Sequence, residues 1–181
     1  MAKLTRAELA ERLRNVKLFS LDVDGVLTDG GLYYAEDGTE LRRFNVKDGM
    51  GIKLAQAAGI EFAIISASIT PAIEHRAKRL GIDHVHIGCK SKIETLKDIC
   101  GKLQITLDAV VHMGDDVNDL PVFDLVGLSL APADAAATVV TTADYVSERS
   151  GGQGCVREIC DLAVAARKAK VADGVAKNAV A

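Results

Sequence analysis

Two aspartates one residue apart, Asp22 and Asp24, close the apolar run Leu18-Phe19-Ser20-Leu21 and open the turn Gly25-Val26-Leu27-Thr28. Such a run reads as a buried strand that stops at its carboxylates. In an open parallel sheet, ligands gather beyond the carboxyl ends of the strands. Two carboxylates there can share a hard divalent cation, and one can attack an electrophilic phosphorus. Asp-x-Asp-Gly is also a common turn, so the reading depends on what the rest of the chain brings to the same place.

Three further strand ends carry polar groups: Ser66, Lys92 at the start of the helix after its strand, and Asp115 and Asp116 with Asp119 close behind. Transfer of a phosphoryl group requires these types. The nucleophile is an anion approaching a dianion, so a cation and a lysine must offset the charge. The Ser66 hydroxyl can donate to a phosphate oxygen, and Lys92 can meet the same phosphate while restraining the nucleophile. Singly, Ser66 reads equally well as a cap and Lys92 as a solvated lysine. Asp115, Asp116 and Asp119 within five residues repel one another unless a cation is present.

The elements that must position these groups alternate. Thr5-Arg6-Ala7-Glu8 is a capping box ahead of a short lead-in helix spanning 1–16, with Leu9, Leu13 and Val16 on one face. A first strand runs over Lys17–Leu21, and Asp37-Gly38 between Leu32–Glu36 and Thr39–Phe44 signals a hairpin. A helix is predicted over Gly49–Ala58, a strand over Glu61–Ser66, a helix from Pro71 to Gly81 and a strand over His84–Ile87. Ser91-Lys92-Ile93-Glu94 is a second capping box, opening a helix to Leu103. Strands over Ala109–Met113, Gly127–Leu130 and Asp144–Val146 follow, with a helix after Asn118, an Ala-rich helix, and a last helix from Cys155. Apolar strands alternating with helices imply an α/β fold, a Rossmann-like doubly wound parallel sheet covered on both faces, with a β-hairpin after strand one. A single domain over 17–170 is expected, with 171–181 a flexible tail lacking an apolar stripe.

Composition narrows the function classes. With a net charge of −3 the chain has no basic excess for nucleic acid or an anionic membrane surface, and without Trp it has few stacking platforms. No apolar run is long enough for a membrane span and no signal-peptide core is present, so a cytoplasmic address is expected. Cys89, Cys100, Cys155 and Cys160 form no C-x-x-C pair and read as buried thiols. His84 and His86 point to one side of their strand as zinc ligands would, but no third ligand has matching spacing. His75 and His112 read as structural.

Over Lys17–Ala165 the chain resembles the haloacid dehalogenase superfamily of phosphotransferases, and within it the small capless branch typified by 3-deoxy-D-manno-octulosonate 8-phosphate phosphatase. The supporting stretches are Asp22-Val23-Asp24-Gly25-Val26-Leu27-Thr28-Asp29-Gly30, Phe44-Asn45-Val46-Lys47-Asp48-Gly49-Met50-Gly51-Ile52, Gly114-Asp115-Asp116-Val117-Asn118-Asp119-Leu120-Pro121 and Gly151-Gly152-Gln153-Gly154-Cys155-Val156-Arg157-Glu158. The resemblance implies a phosphatase of small phosphorylated metabolites, with Asp22 as nucleophile and Asp24 as general acid and base. It implies Mg²⁺ held by the Asp22 and Asp115 side chains and the Asp24 backbone carbonyl, with Asp116 and Asp119 as nearby or outer anions. Ser66 and Lys92 would hold the phosphate, and Asp48, Gly49 and Arg157 would contact the substrate.

The gaps from Asp24 to Ser66 and from Ser66 to Lys92 leave no room for a cap domain. Similar enzymes close their open sites with hairpins from neighbouring subunits, so the resemblance implies a homotetramer assembled through the hairpin at 32–44. Tyr33, Tyr34, Leu41 and Phe44 would suit that burial, or would cover this domain's own sheet. The Gly-rich segment before Arg157 reads either as reaching toward a neighbour's substrate or as a turn. One departure concerns the substrate: where the sugar-acid phosphatases usually have Gly-Arg after the strand-end serine, this chain has Ala67-Ser68. A missing guanidinium removes a donor fork suited to carboxylate or phosphate. The alternative is a likeness to the delta subunit of phenylphosphate carboxylase, acting on an aryl phosphate beside carboxylase subunits.

Overall fold

The computed structural model describes residues 3–178. Six parallel strands form the sheet: β1 (Leu18–Leu21), β4 (Glu61–Ile65), β5 (His84–His86), β6 (Val110–Met113), β7 (Leu128–Ala131) and β8 (Tyr145–Val146). Their spatial order is β5-β4-β1-β6-β7-β8. The chain therefore winds outward from β1 in one direction through β4 and β5, then in the other through β6, β7 and β8. That reversal beside β1 is the switch point at which open α/β sheets leave a crevice for ligands. Leu21 lies level with Ile64 on one side and Met113 on the other, so three loops leave the sheet at the same height.

The central strands β1, β6 and β7 are buried on both faces, as is β4 beyond Glu61, and the pleat sorts their side chains. Phe19, Leu21, Phe62, Ile64, Val111 and Met113 join one core cluster with Leu9, Leu13, Ile52, Ile73 and Ile159. These last belong to helices α1 (Arg6–Leu13), α2 (Val46–Ala57), α3 (Pro71–Leu80) and α7 (Cys155–Asn178). Leu18, Ala63, Ile65 and Val110 pack the opposite face against Leu96 and Ile99 of α4 (Lys92–Leu103) and Val122 of the short α5 (Leu120–Phe123). Ser20 and His112 alternate onto that second face, directly opposite one another in register. A small helix α6 (Ala137–Thr142) precedes β8.

Thr5 caps α1 with the reciprocal bonds of a capping box, and Ser91 caps α4 by accepting the Glu94 N–H. Helix α2 begins three residues before the predicted Gly49. The reason is Asn45, whose side-chain oxygen accepts the Lys47 N–H and starts the helix at Val46. The hairpin is shorter than predicted: only β2 (Tyr33–Tyr34) and β3 (Glu40–Leu41) pair, antiparallel and apart from the main sheet. Helix α7 continues to Asn178, into the segment expected as a tail, while 179–181 lie outside the described residues. Cys100, Cys155 and Cys160 are buried and Cys89 half-buried, all as free thiols. Among the described residues no helix is long and apolar enough to cross a membrane.

Candidate active site

The three loops leaving β1, β4 and β6 enclose a cavity of about 220 Å³ lined by Asp22, Asp24, Ser66, Ser68, Asp115 and Asp116, among others. Asp22 follows β1 directly, and its backbone N–H donates to Met113 C=O at 3.0 Å, extending the ladder to the acid itself. One oxygen of its carboxylate accepts the Val23 N–H at 2.6 Å. The other accepts from Lys92 Nζ at 2.5 Å, and the same ammonium donates to Asp119 Oδ1 at 2.5 Å. Lys92 reaches the Asp22 carboxylate from behind the cleft, because Ser91 caps α4 and sets the lysine at the first position of the helix.

Asp119, expected as a nearby or outer anion, lies beside Asp22 and Asp115 behind the cleft. It is fully buried, accepts from Lys92, shares a bond with His112 Nε2 at 2.9 Å and takes the Asp115 N–H at 3.2 Å. The close approach depends on Gly114, where a Cβ would stand 2.1 Å from the Asp119 carboxyl carbon. His112, without an evident partner in the sequence, is held from behind by the Ser20 hydroxyl at 3.0 Å. The available signal was a polar pair, Ser20 and His112, on otherwise apolar strands that carry the aspartates. Asp116 stays exposed at the rim, its carboxylate accepting the Val117 N–H at 2.7 Å.

Electrostatics in the cleft are unbalanced. Oxygen atoms of Asp22, Asp115 and Asp119 lie within 4.8 Å of one another. Burial pushes the Asp22 carboxyl up; Lys92 pulls it back and Asp119 adds to the rise, for a net upward direction. Burial also acts on Asp119, but His112 and Lys92 outweigh it and hold that carboxyl below its ordinary range. Asp115 has no such partner: burial, then the charges of Asp22, Asp119 and Asp116, push it up to about 7. One ammonium among three clustered carboxylates leaves excess negative charge, and an all-oxygen donor set suits a hard divalent cation. Gly25 makes room for this group, since a Cβ there would fall 2.0 Å from Asp115 Oδ2.

A stability prediction follows from Asp115. Its folded value exceeds the unfolded one, so the folded state binds the extra proton and stability falls as pH rises from about 4 to about 7. In chelator at pH 8, Asp115→Asn should unfold at a higher temperature than the wild type, and the gap should close near pH 4. A shift of this size caps the effect at ~4 kcal/mol, and solvent screening of a partly exposed carboxylate reduces it to ~1–2 kcal/mol. Equal melting curves at pH 8 would show that the carboxylate is relieved in some other way.

Asp24 points to the rim and is held by Arg42, one residue past β3. Arg42 Nε donates to Asp24 Oδ1 at 2.6 Å and Nη2 to Asp24 Oδ2 at 3.1 Å. Nη2 also donates to the Ser68 hydroxyl at 2.9 Å, and Nη1 pairs with Glu40. No local pattern flagged Arg42, because its partners come from two other loops. Ser66, buried at the end of β4, accepts the Ser68 N–H at 3.2 Å.

Of the residues expected at the substrate, Ser66 lines this cavity, Lys92 borders it through its bond to Asp22, and three lie elsewhere. Asp48 is buried in α2 and accepts the Arg157 N–H at 2.8 Å, so it caps the first turn of α7. Gly49 faces the Arg76 side chain. The Arg157 guanidinium pairs with Asp161 at 2.8 Å and lines a separate cleft with Lys47 and Arg149. Within the chain the Gly-rich segment buttresses the loop after β1, with Gly152 N–H donating to Val26 C=O at 2.9 Å.

A family model described as haloacid dehalogenase-like hydrolase matches residues 82–159. The 3-deoxy-D-manno-octulosonate 8-phosphate phosphatase of Escherichia coli (strain K12) is 44% identical over 161 residues, covering 89% of this chain and 86% of that protein. The chain belongs to the haloacid dehalogenase-like hydrolases. Solved structures of this hydrolase family extend the match to the fold. The Yersinia pestis 3-deoxy-D-manno-octulosonate 8-phosphate phosphatase is 40% identical with a TM-score of 0.86, covering 88% of this chain and 86% of that one. The Moraxella catarrhalis 3-deoxy-D-manno-octulosonate 8-phosphate phosphatase, solved in complex with magnesium ion, phosphate ion and a KDO molecule, is 34% identical. Its TM-score is 0.85, with 92% of this chain and 97% of that one covered. These likenesses place this hydrolase among the phosphoric monoester hydrolases and favour the sugar-acid phosphatase reading over the carboxylase-subunit alternative.

Proposed function

We propose that this chain is a Mg²⁺-dependent phosphatase that hydrolyses a small phosphorylated sugar acid, most like 3-deoxy-D-manno-octulosonate 8-phosphate, through an aspartyl phosphate. The observation that carries the reading is Asp22 at the end of β1, gripped by Lys92 and facing a cleft with Asp115 and Asp119. An Asp22 oxygen attacks phosphorus as the bond to the leaving oxygen breaks, and Asp24 gives that oxygen its proton. Water then attacks the phosphorus of the aspartyl phosphate; Asp24 takes a proton from it, and phosphate leaves with Asp22 restored. Ser66 and Lys92 orient the phosphate oxygens. Asp22 and Asp115, with the Asp24 backbone carbonyl and the nearby Asp119, would hold Mg²⁺, which supplies Lewis-acid charge neutralisation when bound.

Assaying sugar-acid phosphates beside aryl phosphates tests the substrate class. Turnover should need Mg²⁺, stop in chelator and favour the sugar acid; preference for phenyl phosphate would reject that class. Ala67-Ser68 makes this comparison necessary, because no guanidinium follows Ser66 in its own loop.

The cleft is open, and the hairpin beside it exposes apolar surface: Tyr33 is 53% exposed, Tyr34 63% and Leu41 55%. Exposed apolar side chains gathered on one hairpin suit burial against a partner. The proposed occupant is a second copy of the chain, in a homotetramer whose hairpins cover neighbouring clefts. Light scattering should give four times the chain mass of 19.1 kDa, and Tyr33→Ser with Leu41→Ser should lower it. A monomeric wild type would remove the assembly from the reading.

A further inference from the structure

Arg42 is the point at which the hairpin touches the chemistry. Its side chain is only 4% exposed although the hairpin strands around it lie at the surface. The fork engages both oxygens of Asp24, from the loop after β1, and the hydroxyl of Ser68, from the loop after β4. Glu40 holds the remaining arm, and Tyr34 in turn donates its hydroxyl to Glu40 at 2.8 Å. A carboxylate offers about four lone-pair sites, and a bidentate fork takes one on each oxygen. The lone pairs left over are free to exchange a proton across the cleft that Asp24 lines.

We infer that Arg42 is a positioning residue: its guanidinium fixes the Asp24 carboxylate at the rim of the cleft, so that proton delivery to the leaving oxygen depends on the seating of the hairpin. The inference rests on the reading of Asp24 as the acid–base group. Asp24 is otherwise free to rotate, since its side chain is 35% exposed and, among the described residues, Arg42 alone bonds it. An arginine suits this role where a lysine does not, because a point charge cannot fix the plane of a carboxylate. Misplacing a catalytic group by about 1 Å can cost ~10²-fold in rate.

The test compares kcat/KM for phenyl phosphate and p-nitrophenyl phosphate, which differ little in shape. Phenoxide is strongly basic and needs a proton as it leaves; p-nitrophenoxide needs one far less. In Arg42→Lys and Arg42→Gln the phenyl to p-nitrophenyl ratio should fall about tenfold, because help to the leaving group is lost while attack by Asp22 is kept. A merely structural role would lower both substrates together and leave the ratio unchanged. Asp24→Asn separates the two readings. If Asp24→Asn lowers the ratio and both Arg42 variants change it less than threefold, the role of Arg42 is overturned. If Asp24→Asn itself leaves the ratio unchanged, the acid–base reading of Asp24 fails, and the inference falls with it. Faster turnover of phenyl phosphate by either Arg42 variant would also overturn it, marking the fork as a restraint on Asp24.

Discussion

Asp22→Asn is expected to reduce kcat by ~10⁴-fold or more, the scale on which loss of a nucleophile acts, while the protein keeps its fold. The amide has the shape of the carboxylate and keeps one acceptor oxygen, which can serve either the Val23 N–H or Lys92, since these bonds fall on different oxygens of Asp22. What it lacks is the anionic oxygen that attacks phosphorus. Burial already disfavours the charged form of Asp22, so neutralising it removes little folding free energy. Lys92 also keeps its second partner, Asp119. The expected pattern is therefore separation: thermal unfolding close to the wild type and turnover at the limit of detection. A variant within tenfold of wild-type kcat would eliminate covalent catalysis at this position, and a collapsed melting curve would make the rate uninformative about chemistry.

The parts of this site that were legible in the sequence are those fixed by neighbours along the chain. A strand end puts Asp22 beyond the sheet whatever lies elsewhere, and Ser91 sets Lys92 at the start of α4 by a local bond. Periodicity likewise gave the order of strands and helices, because each element buries its own stripe. What sequence reading missed depends on distant partners. Arg42 meets Asp24 across 18 residues, and His112 meets Ser20 across 92. Neither pairing leaves a trace in local spacing, although two polar residues on opposite buried strands were a usable sign. Asp48 shows the converse: a carboxylate in a motif-like stretch caps α7, 109 residues away, a bond that local spacing does not announce.

Lys92→Met should be costly twice over, in stability and in rate. The lysine is 7% exposed, and its ammonium stands 2.5 Å from both Asp22 and Asp119. Removing one member of a buried ionic group strands the others, at a cost of about 3–5 kcal/mol. The pH dependence fixes the cause. In the wild type, burial opposes the Lys92 charge but Asp22 and Asp119 outweigh it, so its pKa is raised. Its stabilising contribution is then complete below the unfolded value of about 10.4 and is lost as pH rises beyond that. In the variant Asp22 loses its cation and binds a proton more tightly folded than unfolded, while Asp119 keeps His112, so stability falls as pH rises above about 4. Urea unfolding should show the wild type and the variant converging toward pH 4 and separating at neutral pH. Turnover should fall by ~10³-fold as the phosphate loses its cation and Asp22 its restraint. Adding Asp22→Asn to Lys92→Met should restore part of the stability by removing the stranded charge, yet none of the activity. A double variant no more stable than Lys92→Met alone would show that the lysine acts through packing of its stem and not through the carboxylates it joins.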